Sequence, residues 1–332
     1  MPHLYDSNTL NVISANLQMS FQYASNDGAS SFVKIANDLS SNLLILQECN
    51  SGMTNQIRTR LMKNGSYWYS NHQPENYDLA VISRFPIISY YRYNWTNVCT
   101  LDTGKIKTAV YCVHLNPNDY APYLPRGYGG NVNTGKYSQY GWNKLPSGPV
   151  TNIQDIREVN QNSDRISTIK WIISDAKKWE KNGYAIVIAG DFNEPSTFDW
   201  TSGTSRNFDR NGVSYNWDTT AELANAGYTD VYRNVHPNVS ANPGITWPSE
   251  MRNMDLNTLG SAKDFDARDR IDFVFLKNNG KLNIQSSRII GTRKSFNGMV
   301  REDDPSTEDI VDVGDLWGSD HKGLISSFKI EK

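Results

Sequence analysis

No stretch of the chain approaches 18 uninterrupted apolar residues, so the sequence offers no membrane-spanning helix. Its start, Met1 to Leu10, has neither a basic n-region nor an apolar h-region, and no targeting segment is visible. A soluble protein of unassigned compartment is expected; secretion would require a signal peptide already removed upstream of Met1. Cysteine is scarce. Cys49, Cys99 and Cys112 are odd in number and lack metal-ligand spacing, which excludes a disulfide framework and a zinc cluster and leaves buried single thiols. A tight turn at Asp102-Thr103-Gly104 would set Cys99 opposite a residue near Thr108, out of register with Cys112. Basic charge is not in excess either: the formal net charge is −2, which denies the chain the global field of a tight nucleic-acid binder. That argument is weak against a nuclease, which needs only a local groove and a metal ion at the scissile phosphate. Asn64-Gly-Ser, Asn94-Trp-Thr and Asn238-Val-Ser match the glycosylation pattern, as chance allows in an Asn-rich chain.

What is present is enough for a large core. At 332 residues one domain spanning 1–332 is expected. The chain is organised around Tyr184 to Asn193: an apolar run, Tyr184 to Ala189, reads as a strand buried on both faces, and it breaks at Gly190 to deliver Asp191, Phe192, Asn193, Glu194 and Pro195. If the backbone stays extended there, Asp191 and Asn193 point the same way, roughly 6–7 Å apart. The alternative is a solvated turn in which both serve as local caps.

Other polar residues recur at strand ends. Leu10 to Leu17 reads as a strand with Asn16 near its end, and Leu43 to Leu46 finishes in Gln47-Glu48. Ser30 and Ser31 can cap a helix with Phe32, Ile35, Ala36 and Leu39 on one face, and a short helix is expected around Thr54 to Leu61. Asp78 to Ser83 is a strand; Ile87 to Trp95 continues as another, and Ile106 to Leu115 returns beside it after the Gly104 turn. In that last strand Ile106, Thr108, Val110, Cys112 and His114 share a face. His114 is a site candidate or a core histidine bonded to backbone.

Residues 116–150 form a Tyr-rich stretch among Gly, Pro and Asn, with few Lys or Arg. It reads as an irregular loop offering rings to a base, sugar or lipid head group, or as a cover over a sheet edge. Thr151-x-x-Gln154 has capping-box form and Ser163 can start a helix that ends at Asn182-Gly183. A helix is expected near Ala221 to Asn225. Ile271 to Leu276 is a strand containing Asp272, whose charge needs a partner, either Arg270 or Arg268 or a histidine. Glu302 to Asp315 is acidic and reads as a solvated loop, with a structural Ca²⁺ site as an option although no EF-hand spacing is met. Gly318-Ser319-Asp320-His321 precedes the last strand, Leu324 to Ile330.

Strand ends on one edge of a sandwich converge, so Asn16, Glu48, His114, Asp191, Asn193, Asp272, Asp320 and His321 can form one site. Carboxylates and amides without cysteine are hard oxygen ligands, suited to Mg²⁺ or Mn²⁺. The motifs Leu46-Gln47-Glu48, Ser83-Arg84-Phe85-Pro86, His114-Leu115, Gly190-Asp191-Phe192-Asn193, Arg270-Ile271-Asp272-Phe273 and Ser319-Asp320-His321, following Asn16, resemble in their order the endonuclease/exonuclease/phosphatase superfamily. That resemblance implies an α/β fold of DNase I type, a four-layer α/β sandwich of two mixed β-sheets packed face to face with helices outside. It implies a metal-dependent phosphoric ester hydrolase with Glu48 as principal metal ligand supported by Asn16 and Asp320. Asp191 would activate water, Asn193 would hold water or a phosphate oxygen, and His114 and His321 would donate to phosphoryl oxygens with Asp272 fixing His321. The substrate is expected to be a phosphodiester or phosphomonoester of nucleic acid, lipid head group or small-molecule type. A DNase I-like DNA or RNA nuclease, a sphingomyelinase-like phospholipid phosphodiesterase and a catalytically inactive binding protein on the same fold are the alternatives. Glu194-Pro195 and Arg268-Asp269-Arg270 depart from the inositol 5-phosphatase signatures. No protein partner is evident.

Overall fold

The computed structural model describes residues 7–22, 24, 27–71, 78–250, 264–277, 279–297, 300–303 and 307–331. In chain order the strands are β1 Thr9–Asn16, β2 Leu43–Gln47, β3 Tyr69–Ser70, β4 Ala80–Ser83, β5 Ile87–Tyr93, β6 Thr96–Asp102, β7 Lys107–His114 and β8 Ala185–Asp191. There follow β9 Thr229–Asp230, β10 Asp272–Lys277, β11 Leu282–Gly291, β12 Lys294–Asn297, β13 Val300–Asp303, β14 Val311–Asp312 and β15 Gly323–Ile330. One sheet has the order β14-β11-β15-β1-β2-β4-β3 and a second the order β5-β6-β7-β8-β10-β9, with β12-β13 as a separate ribbon. Both large sheets are mixed, since β1 runs parallel to β2 and antiparallel to β15, while β7 is parallel to β8 and β8 antiparallel to β10.

The continuous apolar runs of the sequence are explained by burial on both faces. Alternate residues Val12, Leu43, Ile45 and Val81 meet Val110, Cys112, Val187 and Val274 between the sheets. Their neighbours Ile13, Leu44, Leu46 and Ile82 turn outward beneath the helices Gly28–Asp38 and Ser51–Leu61. On the far side Tyr111, Ile186, Ile188 and Phe275 lie beneath Ile169, Ile172 and Ala176 of the helix Arg165–Lys181 and Leu223 of Asp218–Asn225. The result is helix, sheet, sheet, helix: the four-layer sandwich. Each fully buried Leu, Ile, Val or Phe in it contributes about 1.5–3 kcal/mol of transfer free energy.

Several local expectations are corrected. Asp27, extended and with its carboxylate accepting from the Ser30 backbone N–H, caps the first long helix, so Ser30 and Ser31 fall inside its first turn. Asn152, not Thr151, caps Ile153–Asn162, and the next helix opens after Asp164 rather than Ser163. The chain also turns at Asn94, with φ of 45°, and inserts β6 between β5 and β7; Tyr90 then faces Cys99, and Cys99 faces Val110. All three cysteines are free and buried, as expected.

Residues 116–150 are irregular, as expected, and are anchored by buried side chains. Leu124, Val132, Leu145 and Val150 pack with Ile156, Val159, Trp200 and Trp217, and Tyr120, Tyr123 and Tyr128 pack with Phe265 and Ile271. Large rings supply the buried area that regular elements supply elsewhere, and Gly130 (φ 60°) permits it, since a Cβ there would lie 2.3 Å from the Tyr123 ring. The acidic stretch is likewise more than a solvated loop: β13 pairs with β12, β14 pairs with β11, and Glu308 is buried. Residues 304–306 lie outside the described residues, and among those described the stretch gathers no group of three ligand side chains for Ca²⁺.

Candidate active site

Strand register assembles the site. In the six-stranded sheet His114 of β7 and Asp272 of β10 are both paired with Asp191 of β8, which sets an imidazole and two carboxylates in one row at the sheet end. Gly190 makes this approach feasible: its φ is 146°, and a Cβ would stand 1.9 Å from the Val113 carbonyl oxygen. From the facing sheet, Asn16 of β1 is level with Gln47 of β2, and Glu48 follows directly with φ of 50°. The segment entering β15 brings Ser319, Asp320 and His321 alongside, pinned by the Ser319 hydroxyl donating to the Asn16 carbonyl at 2.7 Å.

Every site residue named from sequence converges here. Asn16 Nδ2 donates to Glu48 Oε1 at 3.1 Å and to Asp191 Oδ2 at 3.0 Å. His114 Nε2 and His321 Nε2 each stand 3.7 Å from that same Asp191 oxygen. His321 Nδ1 is 3.0 Å from Asp272 Oδ2. Thus the partner of Asp272 is a histidine, while Arg270 is engaged by Asp199 and Asp230, and Arg268 by Asp266. Asn193 is the exception to the expected geometry. The backbone has already turned, with φ of 47°, so its N–H donates to Asp191 Oδ1 and its side-chain amide to the Leu115 carbonyl.

Electrostatics follow from burial and from these contacts. Burial raises the Asp191 carboxyl to about 6, and the attraction of His321 and His114 only partly offsets it. Burial alone would lower the pKa of His321, but Asp272 and Asp191 outweigh it and hold the ring cationic well above the ordinary histidine range. For His114 burial also opposes charge and is overcome by Asp78 and Asp191. Burial lifts Asp320 as well.

Asp78 was not singled out from sequence. It lies two residues before β4 and 3.4 Å from His114 Nδ1, a contact that no local spacing signals. Two further residues were missed for the same reason: Thr246, whose hydroxyl accepts from the N–H groups of Ile271 and Asp272, and Trp247, whose Nε1 lies 3.4 Å from Asp320 Oδ2.

Two groupings can hold a cation. Ligand atoms of Asp191, Asp272 and His321 lie within 4.8 Å of one another. However, His321 Nδ1 is taken up by Asp272, and a cationic imidazole repels a metal. Asp320 Oδ1 is buried without a hydrogen-bond partner among the described residues, Glu48 opens into the cleft, and Asn16 lies beside it. This hard oxygen set fits Mg²⁺ or Mn²⁺ better. The cleft itself has a volume of about 270 Å³, and Glu48, His114, Asp191, Asn193 and His321 line it together with Tyr120, Tyr123 and Trp247. Among the described residues no helix is long and apolar enough to cross a membrane.

Comparison with known proteins agrees with the architecture. The chain is 27% identical over 248 residues, 71% of its length, to an uncharacterized protein of Caenorhabditis elegans, F14F9.5, 68% of which is covered. It resembles the crystal structure of D. rerio TDP2 complexed with single-strand DNA product at a TM-score of 0.54 and 13% identity, covering 97% of this chain and 99% of that one. A Beutenbergia cavernae endonuclease/exonuclease/phosphatase matches at a TM-score of 0.52 and 13% identity, with 97% and 72% covered. The profile of the Endonuclease/Exonuclease/phosphatase family matches residues 13–321, a span that begins in β1 before Asn16 and ends on His321, and it is to this family that the chain belongs.

Proposed function

We propose that the chain is a divalent-metal-dependent phosphoesterase that hydrolyses a phosphodiester by in-line attack of an activated water, with residues 1–332 acting as one catalytic unit. The observation that carries this reading is the approach of two imidazole Nε2 atoms to one carboxylate oxygen, Asp191 Oδ2, in a cleft that Glu48 also lines. Hydrolysis of a phosphate ester requires a base for the incoming water and positive charge for the equatorial oxygens. Asp191, half-titrated near pH 6, is ionised at neutral pH and takes the water proton. His321, kept cationic by Asp272, and His114, supported by Asp78, donate to the phosphoryl oxygens. Asn193, whose amide nitrogen is engaged by Leu115, presents its amide oxygen to the water. Glu48, with Asn16 and Asp320, would hold Mg²⁺ or Mn²⁺. When bound, the metal supplies Lewis-acid neutralisation of the phosphoryl group.

The test is hydrolysis of bis(p-nitrophenyl) phosphate by purified protein in Mg²⁺ or in chelator, with Asp191→Ala beside the wild type. Turnover that needs metal and is lost in the variant is expected. Turnover indifferent to both, or none in any divalent metal, overturns the reading.

A further inference from the structure

The cleft is lined by two kinds of residue. Beside the carboxylates and imidazoles, Tyr120, Tyr123 and Trp247 form an aromatic wall, the Trp247 ring 6.5 Å from that of His321. This wall is built to be rigid. The Tyr120 hydroxyl donates to Asp269 Oδ2 at 2.9 Å, and Trp247 exchanges both backbone hydrogen bonds with Asp269, at 3.0 and 2.8 Å. Tyr123 is braced by the Tyr120 ring at 4.8 Å and by the Trp142 ring at 4.8 Å behind it. The polar atoms of the wall are mostly spoken for, since Trp247 Nε1 faces Asp320. Tyr123 differs: it lines the cleft, and its hydroxyl has no hydrogen-bond partner among the described residues.

Charge distribution narrows what this wall can receive. No Lys or Arg lines the cleft among the described residues. The arginines nearest the wall are turned away and neutralised, Arg126 and Arg210 on Asp269, and Arg270 on Asp199 and Asp230. A polymeric nucleic acid gains most of its affinity from cations that follow its backbone, and among the described residues this cleft provides no Lys or Arg for that role. Its volume lies at the low end for small-molecule pockets, room for a phosphate and one ring system.

We propose that the substrate of this site is a small phosphodiester whose non-leaving group carries a single planar aromatic ring system, seated against Tyr120, Tyr123 and Trp247, with Tyr123 as the specificity-determining residue through its ring and hydroxyl. The proposal rests on the phosphoesterase reading above for the position of the phosphate. The planar group has two sources, a nucleobase or a simple aryl alcohol, and both place a π-face on the wall. Loss of one base–aromatic contact changes affinity by about tenfold or more.

The experiment has a catalytic and a binding arm. In Mg²⁺, kcat/KM is measured for the p-nitrophenyl esters of thymidine 5′-phosphate, phenyl phosphate, methyl phosphate and phosphocholine, and for a single-stranded oligonucleotide. The thymidine or phenyl ester should exceed the methyl and choline esters by about tenfold or more. Which of the two leads identifies the source. In Tyr123→Ala that ratio should fall to within about threefold, and Tyr123→Phe, which retains the ring, should lose only part of it. The binding arm titrates thymidine 5′-monophosphate, phenyl phosphate, methyl phosphate and phosphocholine into the Asp191→Asn protein, so it needs no turnover. Aromatic ligands should bind at least about tenfold tighter than methyl phosphate. Equal efficiency across the esters, tighter binding of phosphocholine, or preference for the oligonucleotide overturns the proposal. Absence of turnover on every ester refutes the phosphoesterase reading instead, and the titration still decides whether the wall selects aromatic ligands.

Discussion

His321 Nδ1 stands 3.0 Å from Asp272 Oδ2, and both side chains are buried. The contact does two things at once. It fixes the ring so that Nε2 faces Asp191, and it keeps the ring charged at pH values where a free histidine is neutral. Replacing Asp272 by Asn preserves shape and removes the charge. The folded pKa of His321 then falls, so the alkaline limb of the pH–rate profile should move down by about one to two units, with a fall in kcat of roughly 10- to 100-fold. The linked stability has the same sign: a raised histidine pKa stabilises fully below the unfolded value of 6.5 and less as pH rises through the folded one. An unmoved alkaline limb in Asp272→Asn would show that His321 does not act as a cation.

Asp78 stands in the same relation to His114, but its side chain is 48% exposed and the contact is longer, at 3.4 Å. Solvent screens such a pair. Asp78→Asn should therefore cost activity by only about 3- to 10-fold, and its effect should weaken at high salt. A loss equal to that of Asp272→Asn would show that the two histidines share the work evenly.

Metal binding has a thermal signature independent of turnover. A cation that binds only the folded chain raises the melting temperature in proportion to the logarithm of its concentration over Kd. Mg²⁺ should raise Tm for the wild type and leave Glu48→Gln unmoved. A shift in Glu48→Gln equal to the wild type's, abolished instead in Asp272→Asn, would place the ion at the Asp191, Asp272 and His321 grouping.

Gly190 carries a structural prediction. A methyl group there meets the Val113 carbonyl of the parallel neighbour at 1.9 Å, and the φ of 146° is unfavourable for any side chain. Gly190→Ala should cost more than about 3 kcal/mol and abolish activity by parting β7 from β8. Denaturant melts check it, and a wild-type midpoint would mean that the strands separate locally without cost.

The sandwich was legible because its strands are buried on both faces and so read as unbroken apolar runs, as in Leu43 to Leu46 and Ala185 to Ala189. The row His114, Asp191, Asp272 was legible because each residue breaks or ends such a run. What lay beyond reading was long-range or unpunctuated. Asn94-Trp95 turns the chain without glycine, so β6 went unnoticed; Asp78 and Trp247 meet the site only through the fold. The Tyr-rich stretch has neither a period of two nor of 3.6, and its packing against Trp200, Trp217 and Phe265 draws on segments distant in sequence.

The last prediction separates function from stability at Asp191. Its folded pKa of about 6 lies above the reference 3.8, so the carboxylate is less comfortable in the fold than in the unfolded chain. The sign follows from linkage: the group's contribution is most favourable below about pH 4 and declines as pH rises through about 6. Burial therefore outweighs the attraction of both histidines, and an uncharged isostere should relieve it. Asp191→Asn keeps an oxygen to accept from Asn16, loses the base, and should lose at least about 10³-fold in kcat. At pH 7 without metal the same variant should be more stable by roughly 1–2 kcal/mol, a rise in Tm of about 2–4 °C, and near pH 4 the gain should vanish. Scanning calorimetry of the two proteins at both pH values decides it. A variant less stable than wild type at pH 7 would mean that the histidine pairs, rather than burial, govern this carboxylate, and that it is ionised well below pH 6.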